Sequence, residues 1–174
     1  MRYSLFLFLL IFSACSAPSE KETRMYEDIS GFFAAEALRL SKADPEIKKT
    51  VARNDANEMR IVKNINWKTE LSLFAESDIN KPAWRDSYQV TAKGGNIIYL
   101  ATDTALKTRE IQIRKDPQGN ISQIRIRNQT SNMLYSSSEQ LLYIPDSVYQ
   151  ISKKQHVALI GDNQYVVKGL FTIE

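Results

Sequence analysis

The chain has 174 residues, 43% of them hydrophobic and 25% charged, a balance that suits one globular domain with a sizeable core. Its 23 basic and 20 acidic side chains leave a formal charge of only +3, which argues against a dedicated nucleic-acid binder. A single cysteine and a single histidine exclude a disulfide framework and any site built from two or more histidines.

The first element in chain order is a signal. Arg2 supplies a positive start, residues 5–12 form an apolar run, and Ser13 and Ala14 are small residues before Cys15. The run is far shorter than the ~20 apolar residues a membrane span needs. A secretory cut after Ala17 would meet Pro18, whose fixed φ and missing N–H obstruct a protease. The segment Phe12-Ser13-Ala14-Cys15 resembles the lipobox of bacterial lipoproteins, with Phe12 where Leu is usual. That resemblance implies cleavage after Ala14, so that residues 1–14 are a signal peptide, and lipidation of Cys15, which attaches the chain to a membrane of the cell envelope. Each buried CH₂ contributes about 0.8 kcal/mol, so two or three acyl chains would anchor it almost permanently. Ser16, a residue other than Asp after the cysteine, resembles the outer-membrane address of many Gram-negative lipoproteins; periplasmic and surface sides both stay open. With Cys15 acylated the domain has no thiol and folds by core burial alone. Residues 15–25 then carry the lipid and a flexible tether, and residues 26–174 a single domain.

The spacing of Ile29, Phe32, Phe33, Ala37 and Leu40 predicts an amphipathic helix over 28–42, with Asp28 as its N-cap and Asp44-Pro45 as its end. Residues 46–53 and 58–64 read as a hairpin around the turn 54–57. Asn66 caps a short second helix that places Trp67, Leu71 and Phe74 on one face, and residues 78–82 break it.

From Trp84 onward the pattern is strand and turn. A two-residue turn at Gly94-Gly95 sets Ala92 opposite Ile97, Val90 opposite Tyr99 and Tyr88 opposite Ala101. A four-residue loop over 117–120 sets Ile111 opposite Ile126 and Ile113 opposite Ile124 on one face, with Glu110, Gln112 and Arg114 opposite Arg127, Arg125 and Gln123 on the other. Further strands are expected at 133–135, 140–144 and 147–152, interrupted by the serines 136–138 and by Pro145-Asp146. A last hairpin, 155–160 with 164–173, is expected to turn at Asp162-Asn163. Sequential hairpins without long crossovers favour an antiparallel meander. The expectation is therefore α+β: two helices packed on a curved antiparallel β-meander, half-barrel-like, with seven or more strands.

Chemistry is sparse. No catalytic residue, metal ligand set or cofactor motif stands out. His156 reads as a packed or edge histidine facing Gly169, and Glu76 and Asp78 as solvated acids at a helix exit. Gly94-Gly95 has the spacing of a turn, without that of a phosphate loop. Arg114, Arg125 and Arg127, with Lys107, Arg109 and Lys115 nearby, form a basic surface. It suits either a solubilising charged face or a site for anionic lipid headgroups, an acidic glycan or a protein partner. Tyr88, Tyr99, Tyr135, Tyr143, Tyr149 and Tyr165 are either core residues or the lining of a ligand groove.

Two functional classes follow. One is a membrane-anchored, non-catalytic protein-interaction or structural module that docks on an envelope partner through the basic hairpin or a strand edge. The alternative is a carrier holding an apolar ligand or lipid in a half-barrel cavity, a layout similar in architecture to the lipoprotein carriers of the localisation system. An enzyme is third. The large side chains Trp67, Phe74, Trp84, Phe32 and Phe33 suffice to fill the space and tip the reading toward the first class.

Overall fold

Helix α1 (Ile29–Ala43) starts where its cap residue predicts: Asp28 Oδ1 accepts from the Gly31 N–H at 2.8 Å. It stops because Asp44 turns left-handed (φ 42°) ahead of Pro45, while its N–H still bonds Leu40 O at 2.9 Å. Ile29, Phe33, Ala37 and Leu40 are its buried stripe. The computed structural model describes residues 25–172; the signal, Cys15 and the tether up to Arg24 lie outside the described residues.

Nine antiparallel strands follow: β1 (Ile47–Arg53), β2 (Ala56–Val62), β3 (Tyr88–Lys93), β4 (Asn96–Ala101), β5 (Thr108–Lys115), β6 (Ile121–Ser131), β7 (Tyr135–Ile144), β8 (Val148–Val157) and β9 (Gly161–Phe171). They form one open, curved sheet in the order β2-β1-β9-β8-β7-β6-β5-β4-β3, so β3 to β9 are a meander and the β1–β2 hairpin closes onto its last strand. Between β2 and β3 the chain makes two single-turn helices, α2 (Trp67–Glu70) and α3 (Ser72–Ala75), rather than one continuous helix. Asn66 caps α2 as expected, and Trp67, Leu71 and Phe74 all point into the core.

The core lies between these helices and one face of the sheet. Its strand residues include Ile47, Tyr88, Tyr99, Ile111, Ile113, Ile124, Ile126, Leu141, Tyr143 and Tyr149. The rings of the two layers touch. Phe33 meets Phe74 at 4.9 Å and Tyr143 at 5.2 Å, and Trp67 stacks on Phe171 at 5.7 Å. Acids on the helix side tie the layers together: Lys49 pairs Glu70 at 2.7 Å, Lys115 pairs Glu27 at 2.9 Å, and Arg39 bridges Glu36 and Asp146 at 2.8 Å each. Burial alone would raise the Glu36 carboxyl, but bonds from Arg39 and Tyr143 hold it below the usual carboxylate range.

Both hairpin registers expected around Gly94-Gly95 and residues 117–120 are the observed ones. Five expectations are corrected. The β1–β2 hairpin turns at Asn54-Asp55 alone, so β2 starts at Ala56, and residues expected as parts of two strands, 147–152 and 155–160, form the single strand β8 as far as Val157. Serines 136–138 do not interrupt a strand; β7 runs through them because β6 and β8 pair with it on both sides, and tertiary pairing outweighs weak intrinsic preference. Met133 and Leu134 lie in the turn before β7, not in a strand. The last hairpin turns at residues 158–160, not at Asp162-Asn163, because Leu159 (φ 70°) and Gly161 (φ 97°) take the left-handed conformations there. His156 consequently lies opposite Asp162, and the residue that lies over Gly169 is Tyr149.

Candidate functional site

Strand alternation gives the sheet a second, helix-free face, and its charge differs from that of the whole chain. The outward positions of the nine strands carry seven cations, Lys48, Lys93, Arg114, Arg125, Arg127, Lys154 and Lys168, against two carboxylates, Glu110 and Asp162. The asymmetry arises because Glu27, Glu36, Glu70 and Glu139 are used on the opposite side, in bonds between helices and sheet or beneath them. A chain with nearly balanced charge thus presents a predominantly basic face.

The basic residues singled out from sequence divide into two groups. Arg114, Arg125 and Arg127 stand side by side on the helix-free face of β5 and β6. Arg127 is held by Glu110 at 3.1 Å and Arg114 by Asn96 Oδ1 at 3.3 Å, whereas Arg125, between Gln112 and Leu142 in register, makes no hydrogen bond or ion pair among the described residues. It lines a shallow groove of about 290 Å³ with Gln112, Arg127, Gln140, Leu142 and Gln150. Arg109, by contrast, sits at the irregularity that opens β5 and donates to Asp103 O at 2.8 Å, and Lys107 lies in the loop before that strand. Lys115 turns to the helix side, where it pairs with Glu27, and none of these three joins the arginine row.

All six strand tyrosines point to the helix side, and helix coverage separates them. Tyr88, Tyr99, Tyr143 and Tyr149 are buried. Their hydroxyls are bonded: Tyr88 to Thr108 O at 2.8 Å, Tyr149 to Glu70 at 2.7 Å, Tyr143 to Glu36, and Tyr99 accepts from Glu27 N–H at 3.2 Å. Tyr135 and Tyr165 lie beyond the helices, where Gln155 donates to the Tyr135 hydroxyl at 2.9 Å and Arg53 covers the Tyr165 ring at 5.4 Å. The set is therefore four core residues and two at an uncovered end.

Burial pushes Tyr88 up to about 12 and raises Tyr99, Tyr143 and Tyr149 as well, the last two further through the carboxylates they bond. A raised folded value contributes stability that is complete below the unfolded value of 10.0 and is lost as pH rises through the folded values. Ultraviolet titration is therefore expected to show these tyrosinates appearing together with loss of near-ultraviolet circular dichroism, in one alkaline transition above pH 10. Smooth titration of every tyrosine near that value, with tertiary structure retained, would contradict the placement.

Sequence reasoning missed two polar clusters because both depend on the register of the β6–β7, β7–β8 and β8–β9 hairpins, where serines 136–138 read as a break and the last turn was expected at Asp162-Asn163. Glu139 is buried beneath α3's exit, paired with Lys153 at 3.0 Å and accepting from Asn128 Nδ2 at 3.2 Å, while Asn128 Nδ2 also donates to Ser77. Asn128 Oδ1 has no partner. On the helix-free face, Ser136, His156 and Asp162 are consecutive cross-strand neighbours beside a groove of about 750 Å³, and His156 Nδ1 sits 2.6 Å from Asp162 Oδ1. The trio has the residue types of a nucleophilic triad. Its setting differs: Asp162 is 85% exposed, and Ser136 makes no bond to the ring. Among the described residues no group of three or more His, Cys, Asp or Glu is arranged to hold a metal ion, and no helix is long and apolar enough to cross a membrane.

Compared with known proteins, the chain matches no family model, no curated protein and no solved structure.

Proposed function

We propose that the chain is a membrane-anchored envelope lipoprotein, attached through lipid on Cys15 at the outer membrane, which acts as a non-catalytic protein-interaction module. Its helix-free basic face docks an acidic protein partner. The observation that carries this reading is the segregation of charge: carboxylates bind the helices to one side of the sheet, while Arg125 and its neighbours stay available on the other. Complementary charge chiefly steers encounter and fixes orientation. The carrier alternative, an apolar ligand held within a half-barrel, is less well supported, because Phe33, Phe74, Trp67 and Tyr143 already join helix layer to sheet.

The test is recovery of the acylated protein from its own envelope, with mass spectrometry of bound proteins and lipids. A stoichiometric acidic partner is expected. The double variant R125E/K168E, which alters only helix-free positions, is expected to lose at least about tenfold of that partner while keeping its circular dichroism. Unchanged recovery, or stoichiometric lipid without any protein, would overturn the reading.

A further inference from the structure

Two neighbouring turns at one end of the sheet carry large apolar side chains into solvent. The β6–β7 turn presents Met133 and Leu134, the β8–β9 turn presents Leu159 and Ile160, and all four are exposed, Met133 and Leu159 completely. The turns are adjacent because β7 pairs with β8, with Tyr135 opposite Val157, and the Ala158 N–H bonds Leu134 O at 2.9 Å. They stand forward of the neighbouring β1–β2 turn: Asn54 is level with Gln164, five residues back from Leu159 along β9.

Solvent-exposed turns normally take small polar residues or glycine, so an apolar cluster at two adjoining tips opposes both solubility and turn preference. Leu159 makes the conflict explicit, since it holds the left-handed conformation (φ 70°) that favours glycine or asparagine. Charge is also excluded. Between Arg127 and Glu139, and between Lys154 and Asp162, no residue is formally charged apart from the titratable His156. Tyr135 stands just behind the tip with its hydroxyl bonded to Gln155, the arrangement of an aromatic residue at the level of headgroups.

We propose that these two turns form a lipid-inserting tip, which dips Met133, Leu134, Leu159 and Ile160 into the headgroup–acyl boundary of a bilayer. The groove of about 750 Å³ behind the turns is lined by polar side chains and does not include these four residues, whereas a bilayer accepts apolar projections without shape complementarity. The tip supplements the lipid on Cys15, and the position of that bilayer rests on the anchored reading above. Tyr26 packs on Tyr99, which is level with Ile111 and so with Ile126, roughly 25 Å short of the β6–β7 turn, and the ten residues from Cys15 to Met25 span at most ~35 Å, so one bilayer lies within reach of both. Two contacts would fix the orientation of the domain and leave the basic face of the sheet to one side.

The experiment uses the full acylated chain in vesicles of phosphatidylethanolamine and phosphatidylglycerol. Acylation of Cys15 leaves a single thiol introduced by Ala158→Cys for an environment-sensitive fluorophore, with Lys93→Cys as the reference. Blue-shifted emission and quenching by acyl-chain spin labels are expected at position 158 and not at 93. Leu159→Gly suits the observed backbone and so preserves the fold. It is expected to lose most of the quenching, and Leu159→Asp with Ile160→Asp to lose all of it. A label at 158 that stays in water overturns the proposal, as does one that is shielded without lipid quenching and cross-links to a second copy or another protein. Intact mass and flotation report the anchor separately, so tip and anchor can each fail alone.

Discussion

Trp67→Ala is expected to destabilise the domain by about 3–5 kcal/mol, the range for removing a large aromatic from a packed core. Trp67 is 1% exposed, stacks on Phe171 at an interplanar angle of 10°, and meets the Tyr149 ring edge-on at 5.8 Å. It is the first residue of a four-residue helix, too short to hold itself by backbone bonds. That helix therefore depends on its buried side chain, and losing the indole would also release Glu70 from Lys49 and Tyr149. Urea unfolding followed by circular dichroism checks this. A loss below about 1 kcal/mol would mean that α2 is not a structural wedge.

Gly169→Val is expected to cost roughly 3 kcal/mol, the upper end of overpacking penalties, and Gly169→Ala only somewhat less. Gly169 lies opposite Tyr149 on β8 and Lys49 on β1. A Cβ there would overlap the Cε1 and Cζ atoms of Tyr149 and come within 2.7 Å of its hydroxyl. The ring cannot swing aside. It is completely buried, caught between Trp67 and Phe171, and its hydroxyl is bonded to Glu70. An aromatic laid across a strand glycine is a known way of restoring packing that the glycine lacks. Pairing Gly169→Ala with Tyr149→Leu in a double-mutant cycle is expected to return about 1 kcal/mol or more of coupling; additive losses would show that the two residues do not compete for one space.

What was readable in the residues followed local rules. Asp28 and Asn66 cap helices through the first free amides, Asp44-Pro45 ends α1, and two hairpins take the register that their turn residues and apolar alternation demand. Reading failed where two local rules conflicted. Ala158-Leu159-Ile160 looked like strand because it is apolar, and Asp162-Asn163 looked like turn because it is polar, yet the chain reverses at the apolar residues. That displacement also misassigned the neighbour of His156. Serines 136–138 looked like a break, and only pairing from both sides makes them interior strand.

By itself, the sequence determined both ends of α1 and the start of α2, the wet and dry sides of the β3–β4 and β5–β6 hairpins, and the arginine row of β5 and β6, because these depend on residues close in the chain or joined by a short turn. The tertiary structure alone decided which carboxylates were drawn to the helix side, which tyrosines were covered, and which turns came to lie side by side. The first two outcomes need a helix to lie across distant strands, with contacts such as Tyr143 to Glu36 between residues more than a hundred positions apart, and the third needs the β7–β8 register, which the apparent break at serines 136–138 concealed.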